Sequence, residues 1–386
     1  MMKVACLNNI AKVGTNRLGE GYELTTELAD ADAVLVRSAD MKELDLPQSL
    51  LAIARAGAGV NNIPLDKCAD AGIVVFNTPG ANANGVKELV LTGMLLAARD
   101  IVGGINWVKA NTDDANIAKT VEKQKKNFAG TEIKGKTLGV IGLGAIGAMV
   151  AKSALDLGMK VLGYDPYLSV KAAWSVDPAV KLVTDLDDIY AVSDYITIHV
   201  PAMESTKGMI SAEAIAKMKD GVTFLNYSRD TLVDEAAMAE ALKSGHVHRY
   251  MSDFANPKSV VMEGAVVTPH LGASTEESED NCAVMAVDQI KNYIENGNII
   301  NSVNFARIDM GAVKKARVAV FHAPCDRIAG KVAGVLADCG FAVSAQVDGI
   351  RGNYGYALYD VDHTVCDATV AKIMEVEGVS KVRVIK

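Results

Sequence analysis

The chain has 386 residues, half of them hydrophobic and 22% charged, a size and balance that call for two or three cores rather than one. Its formal net charge of −8 at pH 7 argues against a nucleic-acid partner, which would need a surplus of Lys and Arg to neutralise phosphates. No run of about 18 apolar residues reads as a membrane span, and the opening MMKVACLNNI lacks the pattern of a secretory leader, so the expected location is the cytoplasm.

In chain order, aliphatic runs of strand length at residues 4–7, 33–36, 51–54 and 73–76 alternate with punctuated segments, and a helical pattern follows at 84–100. Strand and helix repeated in this way predict a parallel sheet covered on both faces. A polar, lysine-rich segment, 106–136, precedes a second series: strands at 137–141, 161–164, 195–200, 222–226 and 266–268, with a helix at 145–157. A long helix at 276–295 stops at Asn296-Gly297, as glycine at a helix end favours. Beyond an expected linker at 304–315 come a strand (317–321), a helix (327–338), two strands (342–347 and 354–361), a helix (366–375) and a strand (379–385). That βαββαβ order is ferredoxin-like. The fold class expected is α/β, with two doubly wound parallel-sheet domains and a small ferredoxin-like domain at the end. The first domain would take residues 1–100 and 273–305, discontinuous because the helix from Glu276 returns to it; the second would take 101–272 and the third 314–386.

The cysteines, Cys6, Cys68, Cys282, Cys325, Cys339 and Cys366, are scattered without CxxC spacing or a His–Cys cluster. They read as small core residues of a reducing compartment, with neither disulfides nor a metal expected.

Gly142-Leu143-Gly144-Ala145-Ile146-Gly147 matches GxGxxG directly after the strand TLGVI and ahead of a helix. The first glycine permits the turn, the second lets backbone approach a pyrophosphate, and the third allows helix and strand to pack closely. Asp165 stands where a carboxylate for the ribose hydroxyls is expected, and Pro166 and Tyr167 offer no cation for a 2′-phosphate, which favours NAD over NADP. Three polar segments then fall at predicted strand ends: His199-Val200-Pro201, Asn226-Tyr227-Ser228-Arg229-Asp230 and Thr268-Pro269-His270-Leu271-Gly272-Ala273. An imidazole that takes a hydroxyl proton and a guanidinium that holds a carboxylate are what oxidation of a 2-hydroxy acid requires. The remaining histidines read differently: His246 and His248 as surface residues at a helix end, His363 as a loop residue, and His199 as structural.

The stretches RAGAGVNNIPLDKCADAGIVVFNTPGANA, KGKTLGVIGLGAIG, HVPAMESTKGMI, NYSRDTLVDEAAMAEAL and TPHLGAST resemble the D-2-hydroxyacid dehydrogenase family over nearly the whole chain. The resemblance implies substrate-binding and Rossmann NAD-binding domains around a hinged cleft, with NAD as cofactor. It makes Arg229 the substrate-binding arginine, His270 the acid/base, and Ala58 and Gly59 backbone donors to the substrate carboxylate. Candidate cofactor contacts are Gly142, Gly144, Ala145, Ile146, Gly147, Asp165, His199, Val200, Pro201, Tyr227, Asp253, Gly272 and Ala273. One departure stands out: the family's histidine-orienting Glu has no counterpart in Ser252-Asp253-Phe254-Ala255-Asn256-Pro257, which leaves Asp253 as the nearest candidate partner of His270 and also as a candidate nicotinamide contact.

Arg37 and Arg55 end adjacent predicted strands, where they would either clamp a phosphate or pair with local acids such as Asp40. VRS and RAGAGV are similar to segments of phosphoglycerate dehydrogenases, so Arg37, Ser38 and Arg55 are expected on a substrate phosphate. The expected reaction is the NAD-dependent oxidation of 3-phospho-D-glycerate that opens serine biosynthesis. The alternatives are a glycerate, lactate or glyoxylate type of dehydrogenase, or a catalytically silent NAD-sensing protein. The tail resembles an ACT regulatory domain, with His322 where a ligand-loop histidine often stands but Ala323-Pro324 in place of the following asparagine. That favours a role in assembly over serine feedback, in a homo-oligomer (dimer or tetramer) with a small-molecule substrate.

Overall fold

The computed structural model describes residues 1–386, the side chain of Lys171 excepted. Five strands open the chain: β1 (Met2–Cys6), β2 (Tyr22–Thr25), β3 (Ala33–Val36), β4 (Ala52–Arg55) and β5 (Val74–Phe76). They form a wholly parallel sheet in the order β2-β1-β3-β4-β5. β3 and β5 are buried throughout, as continuous aliphatic runs in a covered parallel sheet should be. β2 is an edge strand with Glu23 and Leu24 exposed, and this polar pattern hid it from the sequence reading.

The helix Ala83–Ala98 follows, and the lysine-rich stretch read as a polar segment is largely helical, with helices at Ile101–Ala110 and Ile117–Gln124. Asp100 starts the first of these by accepting the N–H of Gly103. Then come β6 (Thr137–Ile141), the helix Ala145–Asp156, β7 (Lys160–Tyr164), β8 (Lys181–Leu182), β9 (Tyr195–Ile198), β10 (Val222–Asn226), the helix Glu235–Ser244, β11 (Val247–Ser252) and β12 (Ala265–Val267). Their parallel sheet runs β12-β11-β10-β9-β6-β7-β8. The direction of winding reverses between β6 and β9, and ligands of doubly wound sheets bind beyond the strand ends at such a point.

β11 corrects the reading of SGHVHR as the end of a helix. The helix stops at Gly245, which is left-handed (φ 80°), and Val247, Tyr250, Met251 and Ser252 are buried strand residues. His248 therefore lies on a strand. His246 is tied down, with Nε2 2.9 Å from the Ile215 carbonyl and Nδ1 3.2 Å from Asp220.

The helix Glu276–Asn296 ends at left-handed Gly297 as expected. The tail comprises β13 (Ala316–His322), the helix Ile328–Asp338, β14 (Val343–Arg351), β15 (Tyr354–Val361), the helix Asp367–Met374 and β16 (Val379–Ile385). Its sheet is antiparallel in the order β14-β15-β13-β16, the ferredoxin-like arrangement. Among the described residues, no helix is long and apolar enough to cross a membrane.

Contacts divide the chain into unit 1, Met1–Asn82 with Glu276–Lys386, and unit 2, Ala83–Thr275. The first boundary thus precedes the helix Ala83–Ala98 instead of following residue 100, because Val86, Val90, Met94 and Ala97 pack in one core with Val140, Val150 and Met251. The tail has a core of its own, with Val318, Ile328, Val332 and Tyr359, and packs on the rest of unit 1 through a second one, in which Phe321, Tyr356, Leu358 and Ile385 meet Phe76, Ala286, Ile290 and Tyr293. The stretch read as a linker is packed: Phe305 and Ile308 are buried, and Ile308 exchanges backbone bonds of 2.7 and 2.8 Å with Ile299. Fully buried Arg317 fastens this junction. It pairs with Asp360 at 2.6 and 3.0 Å and donates to the carbonyls of Asn296, Met310 and Gly311.

Candidate active site

At the C-terminal end of β6 the chain enters left-handed Gly142 (φ 92°), whose N–H reaches the Tyr164 carbonyl at 2.8 Å. A Cβ on Gly142 would come within 2.9 Å of the His199 carbonyl, and one on Gly147 within 1.9 Å of the Gly142 oxygen, so both glycines serve close packing. Gly144 differs: no atom lies within 4 Å of the place its Cβ would take. Gly144 and Ala145 are exposed, Ile146 is half-buried, and no side chain caps this helix. The turn therefore presents uncapped N–H groups beside an open approach, which fits a pyrophosphate. Half-buried Asp165 follows β7 and accepts from the N–H of Leu143 and of Tyr167, each at 2.9 Å. Each carboxylate oxygen keeps a lone pair for a ribose hydroxyl.

His199 closes β9, with Nε2 2.9 Å from Thr197 Oγ1 and a buried, unpartnered Nδ1. Burial pushes its pKa down to about 3, so the imidazole stays neutral. Val200 packs toward Gly142, and the carbonyl of Pro201 accepts from Thr206.

Buried Asn226 shapes the turn after β10. Its amide oxygen accepts the N–H of Ser228, its nitrogen donates to the Arg229 carbonyl at 2.8 Å, and Ser228 Oγ donates to Ile198. Arg229 is held extended (φ −156°) with its guanidinium carbon 5.7 Å from the Phe254 ring centre. His270 meets the same ring edge-on, at 5.0 Å and 62°. Its backbone is left-handed (φ 58°), a conformation that few residues other than glycine adopt and one that recurs at functional sites. Tyr227, expected at the cofactor, turns its side chain inward instead. It is 7% exposed, its hydroxyl rests against Gly93, and burial with the Asp253 charge raises its pKa.

Asp253 is buried, and its carboxylate is committed to the histidine loop: Oδ1 accepts from Thr268 Oγ1 (2.6 Å) and the N–H of Leu271 (2.8 Å), and Oδ2 from the N–H of Gly272 (2.8 Å). The geometry thus makes Asp253 a holder of the loop rather than a partner of the imidazole. Asn256 bonds Glu235 at 2.7 Å, and among the described residues none hydrogen-bonds to the His270 ring. Gly272 is buried against Asp253 and Val86, and Ala273 is half-buried.

Unit 1 gathers the other expected residues at the ends of β3 and β4. The amide oxygen of Asn8 accepts the N–H groups of Arg37, Ser38 and Ala39 at 2.8, 3.0 and 3.1 Å. Arg37 pairs with Glu279 at 2.7 Å, and Arg55 Nε donates to the Arg37 carbonyl at 2.9 Å. A phosphate at Arg37 would have to share the guanidinium with Glu279. Ala58 is exposed, its carbonyl accepts from Asn77, and among the described residues nothing takes the N–H of Ala58 or Gly59. The sequence reading missed Phe254, Asn8 and Glu279. Phe254 adjoins Asp253, and Asn8 is a polar residue at a strand end, both visible signals; the pairing of Glu279 depends on the return of its helix.

The family model described as D-isomer specific 2-hydroxyacid dehydrogenase, NAD binding domain, matches residues 91–272. The chain is 36% identical over 304 residues to a D-3-phosphoglycerate dehydrogenase of Methanocaldococcus jannaschii, covering 76% of this chain and 56% of that protein. It is 39% identical over 283 residues to a hydroxypyruvate reductase of Thermotoga maritima, covering 70% of this chain and 87% of that protein. The NAD+-bound 3-phosphoglycerate dehydrogenase of Entamoeba histolytica is similar in structure, with a TM-score of 0.62 and 28% identity over 78% of this chain and 98% of that one. The chain spans little more than half the length of the phosphoglycerate dehydrogenases it matches, 54% to 60% of the first three. By these similarities the chain belongs to the D-isomer specific 2-hydroxyacid dehydrogenase family.

Proposed function

We propose that the chain is an NAD-dependent dehydrogenase that oxidises 3-phospho-D-glycerate to 3-phosphohydroxypyruvate. The observation that carries this reading is the meeting of Arg229 and His270 on the one ring of Phe254, in the unit that bears the glycine turn. NAD, when bound at that turn, supplies the acceptor for the hydride leaving C2 of the substrate. Gly144 admits the pyrophosphate, and Asp165 holds the ribose hydroxyls. His270 takes the proton of the C2 hydroxyl as the bond to hydrogen breaks, and returns it in the reverse direction. Arg229 binds the carboxylate and stabilises charge on the developing carbonyl oxygen. Ala58 and Gly59 offer backbone N–H groups to the carboxylate, while Arg37 and Arg55 read the phosphate. The tail, fused to the core of unit 1, serves assembly into a homo-oligomer.

A second reading has a specific observation in its favour. With Arg37 engaged by Glu279, the substrate could be unphosphorylated, as the name of the Thermotoga maritima relative suggests for that protein. Steady-state reduction of phosphohydroxypyruvate and hydroxypyruvate by NADH, in the wild type and the double variant Arg37→Ala/Arg55→Ala, separates the two. A phosphate clamp predicts a KM for phosphohydroxypyruvate raised at least tenfold in the variant, about 1.4 kcal/mol, with hydroxypyruvate little affected. Equal effects on both substrates would favour the second reading.

A further inference from the structure

We infer that Phe254 is the positioning residue that aims the His270 imidazole, in the role a hydrogen-bonded carboxylate would otherwise fill. The inference rests on the proposed role of His270 as acid/base. A general base has to be held within hydrogen-bond reach of the proton it takes, and rotational freedom at that step lowers the rate. The backbone of the loop is well fixed. The His270 N–H donates to the Asp253 carbonyl at 3.1 Å, and the next two N–H groups donate to the Asp253 carboxylate. That fixes the Cα and leaves the ring to be placed by something else. The Asp253 carboxylate is spent on Thr268 and the loop N–H groups, Asn256 is tied to Glu235, and among the described residues none bonds to the imidazole nitrogens.

What does touch the imidazole is the edge-on ring of Phe254, 5.0 Å away. Phe254 follows Asp253 directly, and its own N–H is held by Ser252 Oγ at 3.2 Å, so the ring projects from a fixed backbone. The guanidinium of Arg229 lies 5.7 Å from the same ring centre. One aromatic side chain therefore contacts both the proton acceptor and the cation that binds substrate, by a T-shaped ring contact with the one and a cation–π contact with the other.

The test compares Phe254→Leu, Phe254→Tyr and Phe254→Met in the full chain, with NADH-linked kinetics and the NMR resonance of the His270 Hε1 proton, assigned by its loss in His270→Gln. The inference predicts a kcat about tenfold lower in Phe254→Leu, a KM changed less than kcat, and near-normal kcat in Phe254→Tyr, which keeps the ring. It also predicts that Phe254→Leu removes a ring-current shift from the Hε1 resonance and has no further effect on turnover in the His270→Gln background. Should Phe254→Leu melt early, Phe254→Met carries the same comparison. An unmoved Hε1 resonance, a kcat within about twofold of wild type, or a full additive loss in His270→Gln would overturn it. If His270→Gln itself keeps wild-type turnover, the acid/base reading fails, whatever Phe254 does.

Discussion

The imidazole of His199 is kept neutral by burial, with one nitrogen on Thr197 and the other without a partner. Its folded pKa of about 3 lies below the ordinary 6.5, so the unfolded chain takes up the proton first as pH falls. This contribution to stability is complete above about pH 6.5 and drains away toward pH 3, at no more than about 1.4 kcal/mol per pH unit. Urea midpoints measured between pH 7 and pH 4 should fall less steeply in His199→Asn than in the wild type. Parallel slopes would show that the group is already solvated. At this scale the sequence disclosed which residues carry chemistry but not how they pair. Arg229 and His270 were legible because a planar cation and an imidazole at the ends of two predicted strands have a shared use. The commitment of the Asp253 carboxylate to two loop N–H groups, and of Arg37 to Glu279, depends on backbone direction and on a partner far along the chain.

At the scale of elements, the three glycines of the nucleotide turn sit in one motif yet answer to different forces. Gly147→Val would drive a side chain into the Gly142 carbonyl and should cost about 1–3 kcal/mol or more in a thermal or urea melt. Gly144→Val meets empty space, so it should melt like the wild type while raising the KM for NAD by about tenfold or more. Equal loss of stability at both positions would contradict that division. The helix Glu276–Asn296 and the glycine turn were readable from spacing and stop signals. β2 and β11 were not, because an exposed edge and the polar run His248-Arg249 mask a strand that only pairing stabilises. The helices between Ile101 and Gln124 escaped for another reason: none of their residues is buried, apolar Ile101, Ile105 and Val108 stay exposed, and the lysines from 109 onward make the stretch look polar.

For the molecule as a whole, the order of elements in the sequence disclosed an α/β chain with a ferredoxin-like end. It placed the helix from Glu276 with the first domain but did not disclose that the tail packs on the same unit, because residues such as Phe305, Phe321 and Tyr356 look alike whether they face their own sheet or a neighbour's. Here their rings meet at 4.8 to 6.4 Å inside unit 1, and Arg317 ties the tail to the end of the long helix. Arg317→Met should therefore destabilise unit 1 as a whole, by about 3–5 kcal/mol, because it leaves Asp360 without its buried partner. Hydrogen exchange should show β1 to β5 and the tail opening together; a tail that opens alone would contradict the shared core. The functional account stands on His270 as the proton acceptor, and its most direct measurement is the single-turnover rate of NADH formation from 3-phosphoglycerate in His270→Gln. The account predicts a rate lower by about 10²–10⁴-fold with NAD affinity unchanged; a rate within a few-fold of wild type would contradict it.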